Sequence, residues 1–340
     1  MRPEVRSWFA RRTSAAAEWS LGDLVAAKGG RRVDVILPAL NEEETVGDIV
    51  ATVRRDLMAA GSRLVDDLVV VDTDSVDPTA RRAAEAGARV VASRDVLPGI
   101  PLHRGKGEAM WRGLAATTGD LVVFIDADLR SFTAEYITGL LGPLLSDEGV
   151  HLVKAVYDRP LVAGDIRIAA GGGRVTEILA RPLINALWPD LSGVAQPLSG
   201  EYAMRRSLVE LLPMPCGYGV EIGLLVDTYR TVGLDGIAQV DLGVREHRHQ
   251  DATRLSRMSA QILHAALTRC DPQQVVYQPE AEATLPEFSH DVGGFGVTEH
   301  EILTMERPPL LSVPQYLMAR SATDGSPDQA APSAPGAVHG

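Results

Sequence analysis

Leu121-Val122-Val123-Phe124-Ile125-Asp126-Ala127-Asp128 is an unbroken apolar run that ends in paired carboxylates. Apolar, mostly β-branched residues in a row predict a strand buried on both faces. Two aspartates one residue apart at its tip are costly to place unless a positive group meets them. A divalent metal with a bound diphosphate answers that need, because carboxylate oxygens suit a hard cation that keeps positions for phosphate. The carboxyl end of a strand in an open α/β sheet is also where ligands bind. An acidic turn is the plainer alternative, since aspartate is common in turns and Asp-x-Asp alone discriminates weakly.

Toward the N-terminus, strand and helix signals alternate. Arg31 to Leu37 predicts the first strand, stopping at Pro38-Ala39-Leu40-Asn41. Asn41 suits a helix cap, Glu42 to Glu44 suit the positive helix start, and Val46, Ile49, Val50, Val53 and Leu57 keep helical spacing. Leu68 to Val71 is a second strand ending in Asp72-Thr73-Asp74-Ser75-Val76-Asp77. Asp77-Pro78 opens the next helix as cap and first-turn proline. Val90 to Ala92 is a short third strand, and Gly105-Lys106-Gly107-Glu108 starts a helix through Trp111 and Leu114. A lysine between glycines at a helix start suits phosphate; the competing reading is a solvated loop lysine. Neither a P-loop nor the Gly-rich dinucleotide turn is present. This alternation predicts an α/β nucleotide-binding sheet with its loops gathered at one edge.

Beyond Asp128, a helix is expected near Ala134 to Leu145 and a strand over His151 to Tyr157. Gly171-Gly172-Gly173-Arg174 is a second anion-friendly helix start with Thr176 to hand, weighed evenly against a flexible loop. Pro197-Leu198-Ser199-Gly200-Glu201-Tyr202 introduces a short strand. An apolar helix starts at Tyr218, and Glu221 within it is expensive unless it binds something or caps the helix. Ile237 to Leu242 reads as the last strand, followed by Arg245-Glu246-His247-Arg248-His249. His247 is a candidate metal ligand, although a lone histidine is more often structural.

At 340 residues the chain makes one large domain or two small ones. Its formal charge of -12 argues against general nucleic-acid binding. Cys216 and Cys270 lie far apart and suggest a reducing compartment. No run reaches the length of a membrane span, and residues 1–30 lack a signal-peptide core, so a soluble cytoplasmic protein is expected. Residues 1–30 read as a helical arm whose Trp8, Phe9, Trp19 and Leu21 need a surface on the body or on a second subunit. That arm and the apolar segment after Cys270 have no obvious place in one nucleotide-binding sheet, which predicts a homodimer. Residues 323–340, rich in Pro, Ala, Ser and Gly, are expected to be disordered.

VDVILPALNEEETV, VVVDTDSVDPT, RGKGEAMWRGL, VVFIDADL, GGGRVTE, QPLSGEYA, YGVEIGLL and LGVREHRH follow one another in this order. Together they resemble the actinobacterial glucosyl-3-phosphoglycerate synthases, retaining sugar-nucleotide transferases with a GT-A fold. The likeness spans roughly residues 20–270. Single motifs are shared by many GT-A enzymes, whereas GGGRVTE and PLSGEYA together are much more specific. The resemblance implies an α/β GT-A fold, a Rossmann-like sheet flanked by helices with an acceptor-binding C-terminal part. On this reading 31–160 bind the nucleotide sugar, and 161–270 of the same domain bind the acceptor and complete the metal site. Residues 271–322 form an extension with dimer contacts.

The implied reaction moves glucose from UDP-glucose to 3-phosphoglycerate with Mg2+ or Mn2+, without nucleic-acid or membrane partners. By that resemblance Pro38, Ala39, Leu40 and Glu42 frame the uridine, Thr73 lies near the base and Lys106 completes the nucleotide site. Asp126 and Ala127 lie nearer the ribose, and Asp128 and His247 hold the metal, with Asp126 beside them. The Leu198 backbone and Glu221 hold the donor sugar, Asp128, Glu221, Leu198 and Lys106 forming the catalytic set. Gly173, Arg174 and Thr176 hold the phosphate and carboxylate of the acceptor. Two departures stand out. Asp74 replaces the family's usual glycine, and Arg248-His249-Gln250 lacks an arginine found near the acceptor in mycobacterial members, for which His249 is a partial substitute. The alternatives are a related GT-A enzyme with GDP-mannose or another donor, one with a different acceptor, and a catalytically dead sugar-nucleotide binder.

Overall fold

A computed structural model describes residues 2–158, 161–163, 166–168, 173–244, 252–271, 284–291 and 294–324. Eight strands form the central sheet: β1 (Thr13–Ala15), β2 (Val33–Ala39), β3 (Asp67–Asp72), β4 (Arg89–Ala92), β5 (Leu121–Phe124), β6 (Leu152–Asp158), β7 (Tyr202–Arg205) and β8 (Ile237–Val244). Their order is β1-β8-β6-β7-β5-β2-β3-β4. Strand β7 runs antiparallel to both its neighbours, β5 and β6, and the other pairings are parallel. The carboxyl ends of β2, β3 and β5 therefore open on one edge.

The apolar strands are buried on both faces because their residues alternate between two cores. Ile36, Val69, Val71, Val122 and Phe124 enter one core, with Met110, Trp111 and Leu225. Val35, Leu37, Val70, Leu121 and Val123 enter the other, with Ile49, Val53 and Leu140. The helices that supply these faces are α1 (Pro3–Arg12), α2 (Leu21–Lys28), α3 (Val46–Leu57), α4 (Thr79–Glu85), α5 (Lys106–Ala115), α6 (Glu135–Ser146), α7 (Arg181–Leu187), α8 (Val220–Val232), α9 (Ala252–Leu267) and α10 (Pro314–Asp324). Among the described residues, no helix is long and apolar enough to cross a membrane.

Several sequence expectations change. Asn41 is not a helix cap. It sits in a left-handed conformation (φ 58°), and its side-chain oxygen accepts the Val76 N–H at 2.9 Å, while α3 begins at Val46. Pro78 falls just before α4, with Asp77 accepting the Thr79 N–H at 3.0 Å. The N-terminal arm is part of the body: β1 pairs with β8 at the sheet edge, and Trp8 is buried with its indole N–H on the Ile237 carbonyl at 2.9 Å. Residues 237–242 are not the last strand either. Thr284–Asp291 and Gly294–Glu301 form an antiparallel hairpin, and Glu306–Arg307 pairs with Met214–Pro215. The helix after the glycine run starts at Arg174 and passes through a π-helical turn, Thr176–Ala180, before α7. Such turns are frequent at functional sites. Of the tail expected to be disordered, residues 325–340 lie outside the described residues.

Candidate active site

Lys106 opens α5 at the edge where β5 ends. Its ammonium lies 2.5 Å from Asp126 Oδ1 and 2.8 Å from Glu221 Oε1. Burial opposes the charge on Lys106, but the two carboxylates outweigh it and hold the pKa well above its ordinary value. Glu221, in the first turn of α8, is thus spent on a lysine rather than on a helix cap. The glycines around Lys106 answer a packing need. A Cβ on Gly107 would overlap the Pro215 carbonyl, one on Gly105 (φ 120°) the Cys216 carbonyl, and the Glu108 N–H donates to Cys216 at 2.9 Å. Segment 215–217, which leads into α8, is therefore laid directly on the start of α5. Gly200 closes the cluster, since a Cβ there would strike Asp126 and the Lys106 ammonium.

The residues expected around the uridine line the ends of β2 and β3. Ala39 ends β2, and its carbonyl accepts both the Thr73 N–H at 3.0 Å and the Thr73 hydroxyl at 2.9 Å. Pro38 is half-buried and Leu40 is exposed. The Glu42 N–H donates to the Thr79 hydroxyl at 2.7 Å, tying the loop after β2 to the start of α4. Asp74 has a left-handed backbone (φ 63°) and is ion-paired with Arg94. A glycine is at ease in that conformation and aspartate tolerates it, which accounts for the exchange locally. Arg94 meets the added charge.

Asp126 is half-buried and Asp128 exposed, and the Ala127 carbonyl between them accepts the Thr45 hydroxyl at 2.6 Å. Their oxygens are hard donors that fit a divalent cation. Among the described residues no third His, Cys, Asp or Glu completes a metal cluster with them. His247 and His249 lie outside the described residues, as do Gly171 and Gly172. Leu198 is half-buried in the turn before Gly200. Gly173 has φ 74°, Arg174 is exposed and Thr176 is buried. Val175 between them packs into the same core as Met110 of α5 and Val220 of α8.

Two features escape the sequence reading. Lys154 is buried in the middle of β6, donates to the Ser199 carbonyl at 2.7 Å and lies 4.4 Å from the Tyr202 ring centroid. Nearby, the Tyr157 hydroxyl donates to Glu201 at 2.7 Å. The available signal is a lysine inside an otherwise apolar strand. The second feature is a latch behind Lys106. Glu108 is fully buried and accepts from Arg112 at 2.7 Å and from Arg307 at 2.5 and 2.6 Å, while both guanidinium groups flank Trp111. Burial raises the Glu108 pKa, and the two arginines overcome it and hold it below the usual range. Cys216 beside them is no nucleophile, since burial pushes its thiol up to about 12.

A model of the family "Glycosyl transferase family 2" matches residues 34–167, from β2 through β6. The glucosyl-3-phosphoglycerate synthase of Mycolicibacterium smegmatis is 47% identical over 306 residues, covering 90% of this chain and 98% of that protein. The chain belongs to the glucosyl-3-phosphoglycerate synthase family. The Petrotoga mobilis glucosyl-3-phosphoglycerate synthase is 38% identical over 84% of this chain and 88% of its own length. Among solved structures, the Mycobacterium tuberculosis glucosyl-3-phosphoglycerate synthase superposes with TM-score 0.76 and 44% identity, covering 86% of this chain and 96% of that chain. That structure holds Mn2+, uridine diphosphate and glucosyl-3-phosphoglycerate. Another of the same enzyme holds Mg2+ and uridine diphosphate, with TM-score 0.78, 44% identity and coverage of 88% and 98%. The sheet described above is accordingly that of a GT-A glycosyltransferase.

Proposed function

We propose that this chain moves glucose from UDP-glucose to 3-phosphoglycerate with retention at the anomeric carbon, in the cytoplasm and as a homodimer. The observation that carries the reading is Lys106 bridging Asp126 and Glu221 at the carboxyl edge of β5, in a chain alike over nearly its whole length to glucosyl-3-phosphoglycerate synthases. Pro38, Ala39, Leu40, Glu42 and Thr73 receive the uridine, and Asp126 and Ala127 the ribose. A divalent cation held by Asp128, His247 and Asp126 supplies positive charge as the diphosphate departs. Lys106 adds a fixed ammonium at the same place.

Glu221, already held by Lys106, accepts hydroxyls of the donor sugar and is a poor nucleophile, and the Leu198 backbone holds the sugar's other side. Gly173, Arg174, Thr176 and His249 orient the acceptor. Retention then follows attack on the face the leaving group vacates. The acceptor oxygen bonds to the anomeric carbon, the carbon–oxygen bond to diphosphate breaks, and the acceptor proton passes to the departing phosphate. The dimer reading is supported by exposed apolar side chains on the C-terminal part, Met305, Leu317 and Met318.

Release of UDP in Mg2+ from a panel of sugar nucleotides, with and without 3-phosphoglycerate, tests the reaction. Release that needs both UDP-glucose and 3-phosphoglycerate is expected. Faster transfer from GDP-mannose, or to an uncharged alcohol, overturns the assignment of donor or acceptor.

A further inference from the structure

Lys154 has no part in the reaction as drawn, yet it stands directly behind the donor-sugar turn. It is 1% exposed in β6, opposite Tyr202 of β7 in the sheet. Among the described residues, water is replaced by one carbonyl, that of Ser199, and by the face of Tyr202. A methionine of similar length would avoid the desolvation cost entirely. What methionine could not do is hold the Ser199 carbonyl. That carbonyl belongs to the Pro197–Gly200 turn, where the Ser199 N–H donates to Gln196 at 3.1 Å. On its other side the turn meets Asp126 and Lys106 through Gly200. The Ser199 hydroxyl is fully buried without a hydrogen-bond partner among the described residues. The turn therefore lies between two lysines, Lys106 packed close to Gly200 on the site side and Lys154 hydrogen-bonded to the Ser199 carbonyl behind it.

We propose that Lys154 is a positioning residue for the donor sugar: by holding the Ser199 carbonyl it fixes the turn whose Leu198 backbone receives the glucosyl group. This rests on the sugar-nucleotide reading above. The groups facing Lys154 are Glu221 of α8, Lys106 of α5, Asp126 after β5, and Glu201 and Tyr202 at β7. Burial lowers the Lys154 pKa to about 7, Glu221, Glu201 and Asp126 drawing it up and Lys106 pushing it down.

The test compares Lys154→Met and Lys154→Gln with the wild type by calorimetric titration of UDP and of UDP-glucose in Mn2+. Lys154→Met is expected to bind UDP as the wild type does but UDP-glucose about tenfold more weakly, the loss of one N–H···O hydrogen bond to the Ser199 carbonyl. Lys154→Gln, which keeps an N–H donor, is expected to recover part of that. Unfolding supplies a second readout. From about 7 up to the ordinary value of 10.5 the unfolded chain holds a proton on Lys154 that the folded chain lacks, so this group makes wild-type stability rise with pH. The melting temperature of Lys154→Met relative to wild type is therefore expected to improve as pH is lowered from 10 toward 6. Unchanged UDP-glucose affinity in Lys154→Met, or equal loss for UDP and UDP-glucose, overturns the proposal. A wild type that binds neither ligand overturns the sugar-nucleotide reading itself, and this proposal with it.

Discussion

Lys106 joins two carboxylates, one at the end of β5 and one on α8, that lie 95 residues apart by their numbers, 221 − 126. Without it the two like charges face each other across a largely buried gap with the bridging ammonium gone. Lys106→Met is expected to lower kcat/KM for UDP-glucose by about 100-fold, as when one preorganised charge is taken from a transition-state site. It is also expected to cost about 3 kcal/mol of stability, because breaking a buried pair leaves charge uncompensated. Adding Asp126→Asn should restore part of the stability and none of the activity, urea unfolding and UDP release being the measurements. Near-normal turnover in the single variant would remove Lys106 from the site. This trio is legible in the sequence because each member interrupts a pattern: a lysine between glycines, an acid at the tip of an apolar strand, an acid on an apolar helix. Lys154 also interrupts one, but a single lysine leaves the strand signal of its neighbours intact. Nothing local reveals that its ammonium ends on a carbonyl 45 residues away.

At the scale of elements, the start of α5 is fixed by a segment the sequence gives no reason to place there. Arg307 reaches Glu108 across 199 residues, and its short strand pairs with Met214–Pro215, which abuts the glycines flanking Lys106. One latch therefore aligns both halves of the Lys106–Glu221 pair. Arg307→Leu is expected to cost about 3 kcal/mol, since it strands part of a fully buried carboxylate. Because Lys106 loses its backing as well, kcat should fall in the fraction that remains folded. Unfolding in urea alongside turnover per folded molecule checks both, and a variant as stable and active as wild type would show that Arg112 alone suffices. Periodicity finds strands and helices because their repeats are local, so β2, β3, β5 and α3 emerge to within a few residues. It is blind to a polar pairing set by chain return, which is why the segment after Cys270 offers no place of its own when read as sequence. Asn41 fails as a cap for a related reason: its partner, the Val76 N–H, comes from the neighbouring loop rather than from its own helix.

On the scale of the whole molecule, the N-terminal arm decides between two pictures, an element of the body or a subunit tether. Composition alone permits either, because exposed tryptophans need cover whichever surface supplies it. The structure seats Trp8 at 1% exposure against Gly193, with its N–H on the Ile237 carbonyl, and places β1 beside β8 at the sheet edge. Arg12 adds an ion pair with Asp147 at 2.6 Å, after α6. The lost burial and hydrogen bond make Trp8→Ala expected to cost about 3–5 kcal/mol, the usual range for deleting a core aromatic. The site at the ends of β2, β3 and β5 lies across the sheet from β1, so turnover per folded molecule should stay close to wild type. Light scattering of the same samples reads assembly separately. If the arm belongs to the body and the C-terminal part makes the dimer, Trp8→Ala keeps the dimeric mass while its melting temperature falls. A variant that melts like wild type but scatters as a single chain would make the arm a tether after all, and a monomeric wild type at micromolar concentration would dispose of the dimer.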